Sequence, residues 1–396
     1  MKKVMIGMSG GVDSSVAALR LQQEGYDVTG VTLKLFGDED IIQAPDATRT
    51  CCALRDVEDA RSVAYRLGFE HLVFNFKDAF RSHVMQPFCD SYLRGETPNP
   101  CIDCNRHIKF DAMLRRAEAL GYDYIATGHY AVRRQDPATG RYLLCRPKDR
   151  SKDQTYVLYN LTQHQLAHTL FPLGDLEKAQ VRQMAEAAGL VNSHKPDSQD
   201  ICFVPDGDYA GYIRHATGAE IQPGDFLDTT GNPIGRHRGL IHYTIGQRKG
   251  LGLSLGRPAY VVGKDAASNT VTIGAESDLY TDSFTVRELN WISIPALTAP
   301  MQVTVKTRYS QTEVPCRIEP RMAPAGQFLK RPSVRSLPDS PPCSTMGIQW
   351  SAAASSADNI SYKQPGDGQI KPPPGLFCQQ HQTALVIVEV SSQPNT

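Results

Sequence analysis

Short apolar runs separated by amphipathic stretches fill the first 200 residues of the chain. Val4-Met5-Ile6, Val28 to Leu35, His71 to Phe74 and Tyr124 to Ala126 have the length and composition of buried strands. Val16 to Glu24, Val57 to Leu67, Phe110 to Leu120 and Gln180 to Leu190 instead repeat apolar residues at helical spacing. Strands alternating with helices of about 10 to 15 residues predict an α/β fold, a parallel sheet covered on both faces, with its ligand beyond the carboxyl ends of the strands. From Asp206 the helical period fades and glycines recur, while Ala259 to Gly263 and Thr270 to Ile273 alternate as antiparallel strands do. Gln302 to Thr307 repeats that pattern after Ser283. The pattern sets domain boundaries at 1–205 for the α/β domain, 206–282 for a small β-rich central domain and 283–325 for the start of a third module. The remainder, 326–396, is anomalous: Gly326 to Gln380 holds eight prolines, three aspartates and no glutamate. Such text buries little apolar surface and reads as disordered, poorly packed or out of frame, so the third domain is expected to be aberrant.

Composition narrows the function classes only slightly. With 396 residues, 41% hydrophobic, the chain is long enough for two or three cores. No run reaches the roughly 18 apolar residues of a membrane span, and Met1-Lys2-Lys3 leads straight into a strand pattern, so a cytoplasmic location is expected. Lys+Arg and Asp+Glu balance at 42 each, so any nucleic-acid contact has to rest on a local patch. One such patch exists. Arg236, Arg238, Arg248, Lys249, Arg257 and Lys264 fall in a stretch without an acidic residue, interleaved with glycines and aromatics. Ten cysteines are too few for a disulfide scaffold of this length, which turns attention to metal, redox or catalytic roles.

Two constellations carry chemistry. Ser9-Gly10-Gly11-Val12-Asp13-Ser14-Ser15 follows the first strand and opens the first helix, where backbone amides and the helix N-terminus favour phosphate. It is neither a Walker A loop nor a GxGxxG fingerprint. The plain alternative is a tight turn with Asp13 or Ser14 capping the helix. The second constellation is Thr97-Pro98-Asn99-Pro100-Cys101-Ile102-Asp103-Cys104-Asn105, a proline-pinned loop with a thiol pair, joined by Cys202 in Asp197 to Val204. Three thiols on two segments suit redox exchange, soft-metal ligation or covalent sulfur delivery, and a zinc staple would need a fourth ligand. Cys51, Cys52, Cys89 and Cys145 read as packed thiols.

The loop SGGVDSS resembles the signature of the PP-loop ATP pyrophosphatases, a motif also related to loops of argininosuccinate synthetases, GMP synthetases and lysidine synthetases. With the cysteine segments, Ala126 to Tyr130, Lys152 to Tyr156 and Tyr243 to Gly252, the chain resembles the tRNA-specific 2-thiouridylases from Gly7 to about Tyr309. The resemblance implies an adenine nucleotide alpha hydrolase-like sheet domain, a C-terminal β-barrel-like domain starting at 283–325, and ATP-dependent adenylylation of the wobble-uridine O2. Sulfur transfer then yields 2-thiouridine, AMP and pyrophosphate, with Mg2+ screening the phosphates. It implies ATP contacts at Gly7, Met8, Ser9, Gly10, Gly11, Val12, Asp13, Ser14, Leu33 and Gly128. It assigns Cys202 a persulfide and Cys104 the thiol that attacks it or resolves it as a disulfide, with Asp13 in the catalytic set. Asn99, Pro100, Cys101, His129, Lys152, Asp153, Gln154, Arg308 and Tyr309 would meet tRNA. Many family members have Asp where this chain has Cys101. The change makes Cys101, Cys104 and Cys202 resemble the ligand set of relatives proposed to hold an iron-sulfur cluster with one open iron. A cysteine desulfurase or sulfur carrier would supply sulfur. The alternatives are a PP-loop ligase acting on a small substrate and an inactive tRNA-binding remnant.

Overall fold

The computed structural model describes residues 1–40, 54–197, 201–280, 283–286, 289–309, 313–321, 331–336, 347–352 and 384–389; Cys51, Cys52, Ser198 to Asp200, Cys343, Cys378 and most of the tail lie outside them. The chain divides into two compact units. One holds Met1–Asp90, Asn99–Glu220 and Asn290–Pro295, and the other holds Ser91–Pro98, Ile221–Leu289 and the chain from Ala296 onward.

In the first unit β1 (Lys3–Gly7) leads into α1 (Val12–Gln23), followed by β2 (Asp27–Lys34), α2 (Leu54–Leu67) and β3 (His71–Asn75). A long helical stretch comes next, α3 (Lys77–Phe80), a π-helical turn Arg81–Met85 and α4 (Gln86–Leu93). A second runs as α5 (Pro100–Asp103), a π-helical segment Cys104–Ala112 and α6 (Met113–Ala119), and ends before β4 (Tyr124–Ala126). The hairpin β5 (Val132–Gln135) and β6 (Tyr142–Cys145) precedes α7 (Gln163–Ala167), β7 (Thr169–Leu170), α8 (Lys178–Ala187) and α9 (Tyr209–Thr217).

The main sheet is wholly parallel in the order β3-β2-β1-β4-β7. Its strands read as unbroken apolar runs because both faces are covered. Val4 and Ile6 turn to one face, against Val16, Leu21 and Val181, while Met5 turns to the other, against Phe110, Met113 and Ile125. All three strand residues are fully buried, and each contributes roughly 1.5–3 kcal/mol by leaving water. The chain leaves β1 toward β2 on one side and meets β4 on the other, so the carboxyl ends of β1 and β4 form the switch point at which such sheets bind ligands.

The second unit holds β8 (Gly224–Leu227), β9 (Pro233–His237), β10 (Tyr260–Asp265) and β11 (Thr270–Gly274), ordered β10-β11-β8-β9 around Phe226, Tyr243, Ile245 and Val261. A four-stranded antiparallel sheet joins β12 (Ser283–Thr285), β13 (Met301–Val305), β14 (Val314–Arg321) and β15 (Arg331–Ser336), and β16 (Gly347–Ala352) pairs with β17 (Ala384–Glu389).

Two local expectations change. The thiol pair is not on a loop: Cys101 and Cys104 ride the start of a helix, because Asn99 accepts from the Cys101 amide as N-cap and Pro100 has its backbone pre-set for the first helical position. Helical structure also continues past Asp206, since Asp208 caps the Gly211 amide at 2.9 Å and opens α9.

Candidate active site

The glycine-rich loop owes its shape to backbone crowding. Gly10 has φ +70°, and a Cβ there would stand 2.5 Å from the Asp56 carbonyl oxygen. Gly11 is the N-cap of α1 and brings no side-chain cap, so neither Asp13 nor Ser14 closes the helix end. The first-turn amides therefore keep the electropositive end of a three-turn helix available to an anion. Ser14 Oγ instead accepts from the Ser9 amide at 3.3 Å and donates to the Gly11 carbonyl at 3.1 Å. Met8 and Val12 are buried anchors, a Cβ on Gly7 would lie 3.6 Å from Met113 Sδ, and Leu33 lies half-buried at the edge of the Met5 cluster. From β4, Gly128 sits directly on the loop, where a Cβ would lie 2.7 Å from the Ser14 nitrogen. Only glycine fits this approach of backbone to backbone.

A charge relay lines the same loop. Lys178 Nζ lies 2.7 and 2.8 Å from the two Asp13 oxygens and 2.7 Å from Asp197 Oδ1. Lys152 donates to the other Asp197 oxygen at 3.0 Å, and Tyr130 donates its hydroxyl to Asp13 at 2.9 Å. Burial pushes the Asp197 carboxyl up, but the Lys178 and Lys152 ammoniums outweigh it and hold Asp197 below the ordinary carboxylate range. Burial, and then the Asp13 carboxylate, raises the Tyr130 hydroxyl, which stays a donor. Behind the loop Asn192 donates to the Gly10 carbonyl at 3.0 Å and to Ser15 Oγ at 2.9 Å. Lys195 reaches Gly10, Asp56 and Asp59. None of Lys178, Asn192 or Lys195 carries a motif signal. They come from 165 to 185 residues away along the chain and are found only once the fold closes.

The remaining predicted residues fall into distinct settings. Cys101 is exposed, Cys104 buried and Cys202 half-buried. Phe203, next to Cys202, is fully buried among Phe80, Phe88 and Tyr212, which fixes the backbone that presents the thiol. Cys104 opens a segment with an i to i−5 bond from the Met113 amide to the Ile108 carbonyl, a geometry common at functional sites. His129 is buried against Phe110 and Phe171 with Nδ1 2.7 Å from Thr127 Oγ1, and desolvation followed by the Lys109 charge drives its pKa well below the usual imidazole value. It is a neutral ring.

Of the other residues implied to meet tRNA, Asp153 accepts from the Thr155 amide and hydroxyl, and Gln154 accepts from the Tyr130 amide at 2.9 Å. Pro100 is buried. In the second unit Arg308 donates to the Ile245 carbonyl at 3.0 Å, and the Lys306 ammonium lies 5.5 Å from the half-exposed Tyr309 ring. The basic patch resolves into parts. Arg236 pairs with Asp225, and Lys264, pushed down to about 8 by burial, donates to the Tyr243 carbonyl. Arg238, Arg248, Lys249 and Arg257 stand exposed.

Known proteins resemble this chain throughout these regions. Family models described as tRNA methyl transferase HUP domain, tRNA methyl transferase PRC-barrel domain and aminomethyltransferase beta-barrel domain match residues 2–206, 211–275 and 281–326. The tRNA-specific 2-thiouridylase MnmA of Clostridioides difficile is 51% identical over 317 residues, covering 80% of this chain and 87% of the relative. Its counterpart in Acetivibrio thermocellus is 53% identical, over 81% and 89% of the two chains, and that of Desulfitobacterium hafniense 50% identical, over 81% and 85%.

Proposed function

The chain belongs to the tRNA-specific 2-thiouridylases, and from that membership we infer how its own residues divide the work. It is a tRNA-uridine 2-sulfurtransferase: ATP adenylylates O2 of the wobble uridine, and sulfur replaces the activated oxygen to give 2-thiouridine, AMP and pyrophosphate. The observation that carries the reading is the side-chain-free N-terminus of α1 beneath Gly128, a cradle that fits phosphate oxygens and that a Cβ would fill. The amides from Gly10 to Ser14 hold the phosphates there, with Leu33 toward the adenine. Lys178, shared between Asp13 and Asp197, brings positive charge to the loop as charge builds on the leaving pyrophosphate. Asp13 and Asp197 offer hard oxygens that would hold Mg2+ in exchange for part of their Lys178 contact, and the bound ion would screen the phosphate charge.

Sulfur attacks C2 from the face of the ring, which stacking covers, so the base enters splayed from the anticodon, bordered by Asn99, Pro100 and Cys101, with neutral His129 behind it. Lys152-Asp153-Gln154 contacts the tRNA from the first unit, and Arg308-Tyr309 from the second. A desulfurase or sulfur carrier loads sulfur onto Cys202. The terminal persulfide sulfur bonds to C2 as AMP leaves. The Cys104 thiolate then attacks Cys202 Sγ, the sulfur–sulfur bond to the nucleobase breaks, and 2-thiouridine departs from a Cys104–Cys202 disulfide.

Cys101 supports a second route. It adds an exposed third thiol, and three thiolates are the donor set of an iron-sulfur cluster with one open iron. Cys101, Cys104 and Cys202 would hold it, and when bound it supplies an iron that delivers hydrosulfide.

The test is anaerobic incubation with unmodified tRNA, Mg-ATP and sulfide, followed by mass spectrometry of the digested RNA. We expect 2-thiouridine with AMP. Cys104→Ser abolishes thiolation by either route, and Cys101→Asp keeps it only by the persulfide route. A triple Cys→Ser variant that still makes AMP from a small substrate would replace this reading by a PP-loop ligase.

A further inference from the structure

We propose that Glu118, His164 and His168 form a binding site for a divalent transition cation of the zinc type, separate from the thiols. One ligand atom from each of the three lies within 4.8 Å of the others. His164 stands in the first turn of α7 and His168 four residues on, so their rings share a face, 4.6 Å apart. Glu118 comes from the last turn of α6, and its Oε1 is 2.8 Å from His164 Nε2.

The second observation is the tautomer of His168. Its Nδ1 lies 3.0 Å from the His164 carbonyl oxygen. A carbonyl only accepts, so Nδ1 carries the proton and the neutral ring keeps its lone pair on Nε2, the arrangement that orients metal-binding imidazoles.

Tetrahedral ligands held at about 2.0–2.2 Å sit roughly 3.3–3.5 Å from one another. A carboxylate also only accepts, so His164 Nε2 donates to Glu118; a cation displaces that proton, the contact opens by about half an ångström, and the widest separation closes by at most about 1.5 Å, within the reach of partly exposed side chains. Two imidazoles and one carboxylate suit zinc, nickel or copper better than magnesium or calcium, and water completes the shell. The ligands also stand at the entrances to two neighbouring strands: α6 leads into β4, α7 leads into β7, and these strands pair at Ile125 with Thr169 and Ala126 with Leu170. A bound ion therefore clips the short edge strand to its neighbour.

The experiment titrates the full chain, stripped with EDTA, first with Co2+ and then with Zn2+. We expect weak d–d absorption from Co2+ bound by nitrogen and oxygen, displaced by Zn2+ with a micromolar Kd, and a rise in Tm with Zn2+. His164→Gln and His168→Gln each weaken that displacement at least tenfold, and Glu118→Gln, which keeps shape and removes charge, weakens it severalfold. The circular dichroism spectrum confirms that each variant folds. If the only cobalt signal is the intense sulfur charge-transfer band of a thiolate site, the proposal is wrong. It is equally wrong if Zn2+ binds all three variants as it binds the parent, or does not bind below millimolar concentration, since Glu118 and His164 are then only a surface ion pair.

Discussion

Gly128 shows how much of the candidate site depends on an atom that is not there. Its hypothetical Cβ meets the Ser14 nitrogen at 2.7 Å and the Asp13 carbonyl carbon at 2.8 Å, both backbone atoms that cannot swing aside. Overpacking of this kind costs typically 1–3 kcal/mol, paid here by displacing the phosphate loop. Gly128→Ala is expected to lower tRNA-dependent AMP formation about 10- to 100-fold, about 1.4–2.7 kcal/mol of transition-state free energy, measured as kcat/KM for ATP. An unchanged rate would show that the two loops separate without consequence. At this scale the sequence is informative where chemistry is local. Ser9 to Ser14 and Cys101-Ile102-Asp103-Cys104 are recognisable because neighbours in the chain act together. Lys178 looks like any lysine near the start of an amphipathic helix, and its pairing with Asp13 exists only because α8 packs beside α1.

Among the elements, the strands of the parallel sheet and the helix from Phe110 are legible from their apolar pattern, but the helical turns over 77–93 and 100–109 are not. Pro87 argues against a helix over 77–93, since it lacks an amide proton and crowds the preceding turn. The π-helical turn resolves this: the Gln86 amide bonds back five residues to the Arg81 carbonyl, and the helix restarts around the proline. The same device recurs after Cys104, where the sequence period alone points to a helix beginning at Phe110. The true start is set by the Asn99 cap. Asn99→Ala removes the acceptor 3.1 Å from the Cys101 amide, and N-cap losses cost about 0.5–2 kcal/mol. Urea unfolding should show a decrease of that size with an unchanged m-value, and thiolation should fall further than stability, because the cap also aims the two thiols. Equal stability of the variant and the parent would mean that Pro100 alone starts this helix.

Across the whole molecule, charge is balanced, so under the proposed function the exposed cations of the second unit are the groups expected to meet tRNA phosphates. The structure removes one of the six basic residues from that role by burying Lys264, while Arg236 stays exposed in a surface pair with Asp225, a distinction that a count of charges does not make. Replacing Arg248 and Lys249 with Gln should lower the slope of log K against log salt by about 0.7–0.9 for each phosphate left without its cation, read from tRNA binding at several salt concentrations. A lower affinity with the same slope would place these side chains away from the phosphates. The order of the main sheet also governs how the chain is made. β1 lies at its centre, and Val4 waits for Tyr124, its partner on β4, 120 residues later. At roughly 5–20 residues per second, that edge stays open on the ribosome for about 6–24 s after β1 is synthesised. During that interval the β4-facing edge of β1, with Val4, Met5 and Ile6 on it, is exposed to other nascent chains even though β2 covers the opposite edge, so the yield of folded enzyme should depend on translation speed and on chaperones that shield strand edges.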